Sequence, residues 1–240
     1  MRIFITAGNT QVLIDRVRCI TNIFTGRTGA AIALEAYRRG HHVTLATSHP
    51  EVIDAADPDP SRWHCLTYRT FDDLDAVMAQ QIALVKPDAV VHCAAVSDYL
   101  VDGIYAAASG SDFDPDAMKW HGNRFMVDRS AGKVKSDDLE IWLRLGRAPK
   151  LVDKIRREWD FHGTLVKFKL EVDLTEDALL SIAEKSRQHS SADWMVANTL
   201  EGVKDWALLG NEQGYQKVAR AELAERLLDV IEQQPEAHHV

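Results

Sequence analysis

A glycine motif interrupted by a long loop occupies residues 3–29, IFITAGNTQVLIDRVRCITNIFTGRTG. An apolar run leads into Gly8, whereas Gly26 and Gly29 stand only at the start of the next helical segment. Backbone amides at a helix N-terminus bind phosphate, because their N–H groups are unpaired and the helix dipole is positive there. A dinucleotide fingerprint would place all three glycines in one tight turn. The split spacing therefore predicts a mononucleotide phosphate site with catalytic residues in its loop.

Composition restricts the class of protein. The 240 residues are 46% hydrophobic, enough for one substantial core, and we expect a single domain over residues 1–240. A net charge of −8 argues against nucleic acid as a partner, because nucleic-acid-binding domains carry basic stripes. The three cysteines form no CxxC, and neither a signal peptide nor a bilayer-length apolar run is evident, so we expect a cytoplasmic protein without membrane partners.

Short apolar runs alternate with helical periodicity, which is typical of a Rossmann-like, mostly parallel α/β sheet with helices on both faces. The predicted strands cover residues 2–7, 42–47, 63–67, 89–95, 139–145, 164–170 and 194–197, and a hairpin covers 207–209 and 215–218. The predicted helices cover residues 28–39, 72–85, 148–159, 176–190 and 221–231. Residues 99–132 show no clear period and are interpreted as a long flap loop over a site, with a surface insertion as the alternative. The tail, residues 233–240, is expected to fray.

Small residues and one acidic residue follow the apolar strand that ends near residue 95. Ala94 and Ala95 would let a ligand lie against the strand end, and Asp98 would accept a hydroxyl or help to place a metal ion. Parallel sheets bind ligands at this edge, beyond the carboxyl ends of their strands. The alternative is that Asp98 only turns the chain, as aspartate often does.

Three further residues are candidates for binding a nucleotide: one lysine for phosphate, and a phenylalanine and an asparagine for the base. Lys133, in GKVKS at the exit of the flap, suits a phosphate, although a solvated edge strand is the simpler explanation of that motif alone. Phe168 and Asn198 end neighbouring strands and would stack on a base and bind its edge; a core phenylalanine and a turn asparagine are the alternative. The histidines show no metal-binding spacing, and we interpret His92 as a core histidine with a backbone partner.

Taken together and in order, ITAGNT, IDRVRCITNIFTGRTG, AAVSDY, GKVKS, FKLE and VANTLE resemble the phosphopantothenate–cysteine ligases of coenzyme A biosynthesis. The resemblance implies a Rossmann-like sheet and a two-step reaction. The carboxylate of 4′-phosphopantothenate attacks the α-phosphate of ATP or CTP and releases pyrophosphate; the amine of L-cysteine then attacks the acyl-nucleotide, and the nucleoside monophosphate leaves. The resemblance also implies Mg²⁺ beside the triphosphate and a homodimer.

By matched position, the resemblance assigns three groups of residues: nucleotide binding by Gly8, Gly26, Gly29, Phe168 and Asn198; substrate binding by Ala94, Ala95 and Asp98; and catalysis by Asn22 and Lys133. In these roles Asn22 would act on the acyl-nucleotide, and Lys133 would neutralise charge in the reaction. Gly8, Gly26 and Gly29 would line the phosphates. No residue is assigned as a metal ligand.

Two departures from the family pattern bear on turnover and on the nucleotide. Phe24 and Thr25 stand where family members often have a serine pair, and the helix before VANTLE lacks a lysine pair around Ser186 and Ser190. The segment FKLE is similar to the eukaryotic, ATP-using pattern, so we favour ATP over CTP. Because the chain opens on its first strand, we expect a stand-alone ligase without a fused flavin decarboxylase domain.

Two other functions stay open at this point. A short-chain NAD(P)-dependent reductase or epimerase would show a tight glycine turn after the first strand and a Tyr-x-x-x-Lys motif, and the sequence contains neither. A non-catalytic paralogue that only binds a nucleotide is motivated by Phe24 and by the long flap.

Overall fold

The computed structural model describes residues 1–53, 58–114 and 116–233, which contain fifteen strands and five α-helices. The strands are β1 (Arg2–Ala7), β2 (Gln11–Leu13), β3 (Cys19–Thr21), β4 (His42–Thr47), β5 (Trp63–Thr67), β6 (Ala89–His92), β7 (Tyr99–Ala107), β8 (Phe113–Asp114), β9 (Lys119–Trp120), β10 (Met126–Asp128), β11 (Trp142–Arg147), β12 (Thr164–Glu171), β13 (Trp194–Thr199), β14 (Trp206–Asn211) and β15 (Gly214–Ala219). The helices are α1 (Arg27–Arg38), α2 (Phe71–Gln80), α3 (Leu151–Arg157), α4 (Glu176–His189) and α5 (Leu223–Glu232).

The chain divides into two compact units, which are described separately. The sheet unit comprises Met1–Thr10, Ile23–Val96 and Lys150–Val240, and the insert unit comprises Gln11–Asn22 and Ser97–Pro149. The sequence-based expectation of one domain over residues 1–240 stays a prediction.

An eight-stranded sheet forms the centre of the sheet unit, in the order β15-β14-β13-β12-β6-β1-β4-β5. The six strands from β13 to β5 pair in parallel, whereas β14 and β15 form an antiparallel hairpin at one edge. Counted along the chain, the parallel strands have the order 3-2-1-4-5-6 of a doubly wound Rossmann sheet. The predicted fold class is confirmed, and its topological switch point lies between β1 and β6.

Helices cover both faces of this sheet, as the packing of neighbouring residues of β13 shows. Its residues alternate in direction, as the pleat of a strand requires. Val196 packs in a buried cluster with Ile32 of α1 and Leu228 of α5. Its neighbour Met195 packs in a separate cluster with Leu179 of α4. The two apolar clusters therefore bury opposite faces of one sheet.

The insert unit is mainly antiparallel. β7 pairs with β10 on one side and β11 on the other, β2 pairs with β3, and β8 pairs with β9. The interpretation of residues 99–132 as a loop without secondary structure is therefore wrong. Only Ile104 and Ala106 of the nine residues of β7 are buried, so the sequence carries no regular alternation of apolar and polar residues along this strand. The strand predicted at 139–145 lies instead at Trp142–Arg147.

Other predicted elements are correct in kind but differ at their ends. The regular strand β6 stops at His92 rather than at residue 95, although isolated bonds to the β1 side continue to Ala95, and the chain turns where the Val96 N–H donates to the Ala94 carbonyl (3.2 Å). α2 begins one residue before its predicted start because Thr70 and Asp73 form a capping box. Most of the tail predicted to fray, residues 234–240, lies outside the described residues. None of the helices in the described part of the chain combines the length and apolarity needed to cross a bilayer.

His92 is a core histidine, as predicted, although its partner is a side chain. Its Nδ1 lies 3.0 Å from the Thr6 hydroxyl on the neighbouring strand β1. Burial lowers the pKa of His92 to about 4, and the positive charge of Lys167 contributes in the same direction. The folded protein therefore keeps this imidazole neutral at pH values where an exposed histidine would be protonated.

This shift predicts an acid-sensitive contribution to stability. The folded-state pKa lies below the unfolded value, so the full contribution is present above pH 6.5 and is lost as the pH falls towards 4. In that range the free energy of unfolding should fall by about 1–3 kcal/mol more in the wild type than in His92→Gln. Urea denaturation at several pH values measures the difference. The exposed His64 provides the control, and His64→Gln should keep the wild-type slope; equal slopes in all three proteins would contradict the assignment.

Candidate functional site

A cavity of about 500 Å³ opens in the sheet unit at the switch point. It lies at the carboxyl ends of β1, β6, β12 and β13 and at the N-terminus of α1. This volume is typical of small-molecule sites. Its wall includes glycines, small residues, an aromatic ring and an arginine: Gly8, Gly26, Thr28, Cys93, Ala94, Ala95, Phe168, Asn198 and Arg220.

Two glycines meet at the floor of the cavity. Gly26, with φ of +80°, is the N-cap residue of α1. A Cβ on Gly26 would stand 2.3 Å from the Gly8 nitrogen, and a Cβ on Gly8 (φ +88°) would stand 2.2 Å from the Ser48 hydroxyl. Only glycine fits either position, because both the space and the backbone angle exclude a side chain. The glycines separated in sequence thus form one tight corner between β1 and α1.

The start of α1 offers uncompensated positive charge to this corner. Gly26 provides no side-chain cap, and the first turn of α1 contains no acidic residue. Arg220, which follows β15, reaches the same turn, and its guanidinium donates to the Thr28 hydroxyl. Burial lowers the pKa of Arg220, yet a guanidinium stays ionised at neutral pH. A helix N-terminus and an arginine together favour a phosphate at this point.

Small residues form the wall beside the corner. The Ala95 N–H donates to the Gly8 carbonyl (2.8 Å), and the Thr10 N–H donates to the Ala95 carbonyl (3.3 Å). The Ala94 N–H donates to the Thr6 hydroxyl (3.3 Å). These bonds extend the pairing of β1 and β6 past their strand ends. A ligand can therefore lie directly against backbone here.

Phe168 and Asn198 lie on adjacent strands at the far side of the same cavity. Phe168 of β12 is half-buried against the core, and Asn198 of β13 is 8% exposed. Leu170 is the register partner of Asn198, which places the two lining residues near the same strand ends. An aromatic ring beside an amide suits a planar base, which stacks on one and hydrogen-bonds to the other.

Cys93 also borders the cavity, and its thiol is held in the protonated form. Burial raises the pKa of its thiol to about 12, against a smaller opposing effect of Arg220. The group is protonated at neutral pH, and a thiol in that form is unreactive.

The Asn9 side chain holds the backbone at Phe24, the position where the family often has a serine. The Asn9 side-chain amide donates to the Phe24 carbonyl (3.0 Å), and the Asn9 N–H donates to the Ser48 hydroxyl (2.9 Å). The return of the chain towards α1 is therefore fixed through a backbone carbonyl. This contact does not depend on which side chain stands at position 24.

The structure brings together six of the ten predicted residues: Gly8, Gly26, Ala94, Ala95, Phe168 and Asn198. Gly29 is buried against β1, where a Cβ would stand 2.6 Å from the Ala7 Cβ; helix packing accounts for this glycine, and its role at phosphate stays a prediction. The other three, Asn22, Asp98 and Lys133, belong to the insert unit. Asn22 directly follows β3, and the Asp98 carbonyl accepts from the Ala148 N–H (2.9 Å).

Arg220 is the residue that the sequence analysis missed. It stands 192 positions from Thr28, and no local motif marks it. The lining residues include no carboxylate, and the described residues contain no group of three metal-ligating side chains. This wall thus provides no carboxylate ligand for the Mg²⁺ that the resemblance implies. An ion at this wall would take its ligands from phosphates and water.

Known proteins are similar to this chain in sequence. Residues 1–111 match the family described as DNA/pantothenate metabolism flavoprotein C-terminal domain. The coenzyme A biosynthesis bifunctional protein CoaBC of Thermococcus kodakarensis is 30% identical over 237 residues, 96% of this chain and 51% of that protein. Phosphopantothenate–cysteine ligase 2 of Oryza sativa is 28% identical over 138 residues, 56% of this chain and 39% of that protein.

A solved structure matches along the whole chain. The crystal structure of the DNA/pantothenate metabolism flavoprotein from Streptococcus pneumoniae has a TM-score of 0.77 and 29% identity, and the match covers 97% of this chain and 98% of that one. Against the two curated relatives, this chain spans about half of their length or less. The family model contains the first three motifs of the sequence analysis, and the relatives and the solved structure agree with it. These matches agree with the resemblance of the chain to the phosphopantothenate–cysteine ligases.

Proposed function

We propose that this chain catalyses the ligation of 4′-phosphopantothenate to L-cysteine at the expense of a nucleoside triphosphate. The observation that carries the proposal is the cavity at the switch point, where Arg220 and the uncapped start of α1 face Phe168 and Asn198. One end of this cavity suits phosphate and the other suits a base. The similarity to the Oryza relative, a phosphopantothenate–cysteine ligase, supports the choice of reaction.

The sheet unit would bind the nucleotide. Arg220 and the amides at the start of α1 would hold the phosphates, Phe168 would stack on the base, and Asn198 would hydrogen-bond to its edge. Ala94 and Ala95 would let the carboxylate of the pantothenate substrate approach the α-phosphate. Nucleotidyl transfer depends chiefly on such positioning and on charge stabilisation.

The insert unit would supply the two catalytic side chains. In the first step a carboxylate oxygen bonds to the α-phosphorus, the bond to the bridging oxygen breaks, and pyrophosphate leaves. In the second step the cysteine amine bonds to the acyl carbon, loses a proton, and the nucleoside monophosphate leaves. Lys133 would balance the charge that accumulates on phosphate oxygens, and Asn22 would hydrogen-bond to the acyl-nucleotide. Asp98 would bind a substrate hydroxyl.

Several finer expectations belong to the same proposal. We favour ATP over CTP on the FKLE segment, with Mg²⁺ entering on the triphosphate. A homodimer in the cytoplasm is the expected state. The reductase alternative is less favoured, because the residue after the second parallel strand is Ser48, whose hydroxyl binds the Asn9 N–H, rather than an acidic group for a ribose. A non-catalytic paralogue is the remaining alternative.

Pyrophosphate release is the first test. Purified protein with Mg²⁺ and ATP should release pyrophosphate only when 4′-phosphopantothenate is present, and addition of L-cysteine should give nucleoside monophosphate in equal amount. The dependence follows because the carboxylate is the attacking group. Parallel reactions with CTP measure the base preference. Absence of pyrophosphate with every nucleotide would reject the ligase and leave the non-catalytic paralogue.

Arg220→Met tests the phosphate end of the cavity. Loss of the guanidinium removes a charged hydrogen-bond donor, so the Kd for ATP should rise about 10- to 100-fold. Titration calorimetry measures this change without turnover. Arg226→Met is the matched control, since Arg226 is an exposed residue of α5 that contacts only Glu222 across 3.9 Å among the ion pairs of the described chain. Equal ATP affinity in Arg220→Met and wild type would remove Arg220 from the site.

A further inference from the structure

A buried carboxylate stands inside the insert unit. Asp15 lies between β2 and β3, and its side chain is inaccessible to solvent. Its oxygens accept from the N–H groups of Val17 and Arg18 (2.8 Å each) and from the Arg18 guanidinium (2.6 and 3.1 Å). These bonds, with that of Arg18 foremost, hold the pKa of Asp15 well below its usual range. Burial of a charge costs free energy unless such bonds compensate it.

The same carboxylate reaches a distant part of the chain. Asp15 Oδ2 accepts from the Val134 N–H at 3.1 Å, across 119 positions of sequence. The Arg18 guanidinium donates to the Val134 carbonyl (2.8 Å), and the Arg16 N–H donates to the Gly132 carbonyl (3.1 Å). The residues on both sides of Lys133 are thus tied to the turn between β2 and β3.

Lys133 itself is left available by this arrangement. Its side chain is exposed, and within the described residues no carboxylate lies within 4 Å of its ammonium. Its backbone is an irregular segment without strand or helix pairing. The bonds to Asp15, Arg16 and Arg18 are therefore what defines where this lysine stands. They also tie it to the hairpin strand β3 that leads directly to Asn22.

We propose that Asp15 is a positioning residue that fixes the backbone of Lys133 for the ligation, an inference that rests on the proposed function. Its ionised carboxylate acts on the reaction only through the Val134 amide and the Arg18 guanidinium. A charge-stabilising group displaced by about 1 Å loses a large part of its effect, so this link should control the rate.

Hydrogen exchange tests the link without any turnover. In Asp15→Asn the exchange of amides in residues 132–136 should become at least about tenfold faster, because the Val134 N–H loses its charged acceptor. Asp137→Asn is the matched control: Asp137 is an exposed carboxylate four positions from Lys133, and its loss should leave the exchange unchanged. Unchanged exchange in Asp15→Asn, in a variant with the wild-type circular dichroism spectrum, would overturn the proposal. Asp15→Glu, which keeps the charge, should restore part of the protection.

A double-mutant cycle tests the catalytic consequence. Asp15→Asn should lower kcat for pyrophosphate release about 10- to 100-fold, while KM for ATP, which binds in the sheet unit, should change less than about twofold. In a Lys133→Gln background the same change should cost less than about twofold, because Asp15 acts through that lysine. Additive losses, or a loss confined to KM, would overturn the proposal although the ligase stands. A wild-type protein that releases no pyrophosphate would instead reject the proposed function, and with it the catalytic role of the link.

Discussion

The close approach of the Gly8 and Gly26 backbones is the constraint on which the rest of the sheet unit depends. The 2.3 Å between a Cβ on Gly26 and the Gly8 nitrogen leaves no room for any side chain. This contact places the N-terminus of α1 directly beside the carboxyl end of β1, although a loop separates them in sequence. The start of α1 therefore lies at the switch point. The loop is then free to belong to another unit, with Asn22 at its end. The regular parallel pairing of β1 with β4 and β6 is therefore kept although a long loop separates β1 from α1.

The distribution of charged side chains also differs between the two units. The cavity wall contains Arg220, Arg27 and Lys169 but no carboxylate, although the whole chain has a net charge of −8. Local charge rather than net charge therefore decides which ligand suits the site. In the insert unit the buried charge of Asp15 is fully compensated by hydrogen bonds, whereas Lys133 is exposed. The buried carboxylate of Asp15 thus holds the backbone beside Lys133, whose own charge is exposed.

Much of the sheet unit could be predicted from the sequence, because its signals are local. The apolar runs of β1 and β4 and the glycines at α1 show the period and spacing of a parallel sheet, and Ala94, Phe168 and Asn198 fall at strand ends. The insert unit could not be predicted in this way. Seven of the nine residues of β7 are half-buried or exposed, and its pairing with β11 shifts register between Arg144 and Leu145, so no regular alternation of apolar and polar residues marks either strand. Arg220 was missed because its partner is 192 positions away, and only the closed sheet brings the two together.

The central claim is that a triphosphate binds at the corner formed by Gly8, Gly26 and Arg220, and a crystal structure with ATP or a non-hydrolysable analogue tests it most directly. We expect the phosphates within hydrogen-bonding distance of the Arg220 guanidinium and of the first amides of α1, with the base against Phe168. A nucleotide bound away from the carboxyl ends of β1 and β6 would contradict the account.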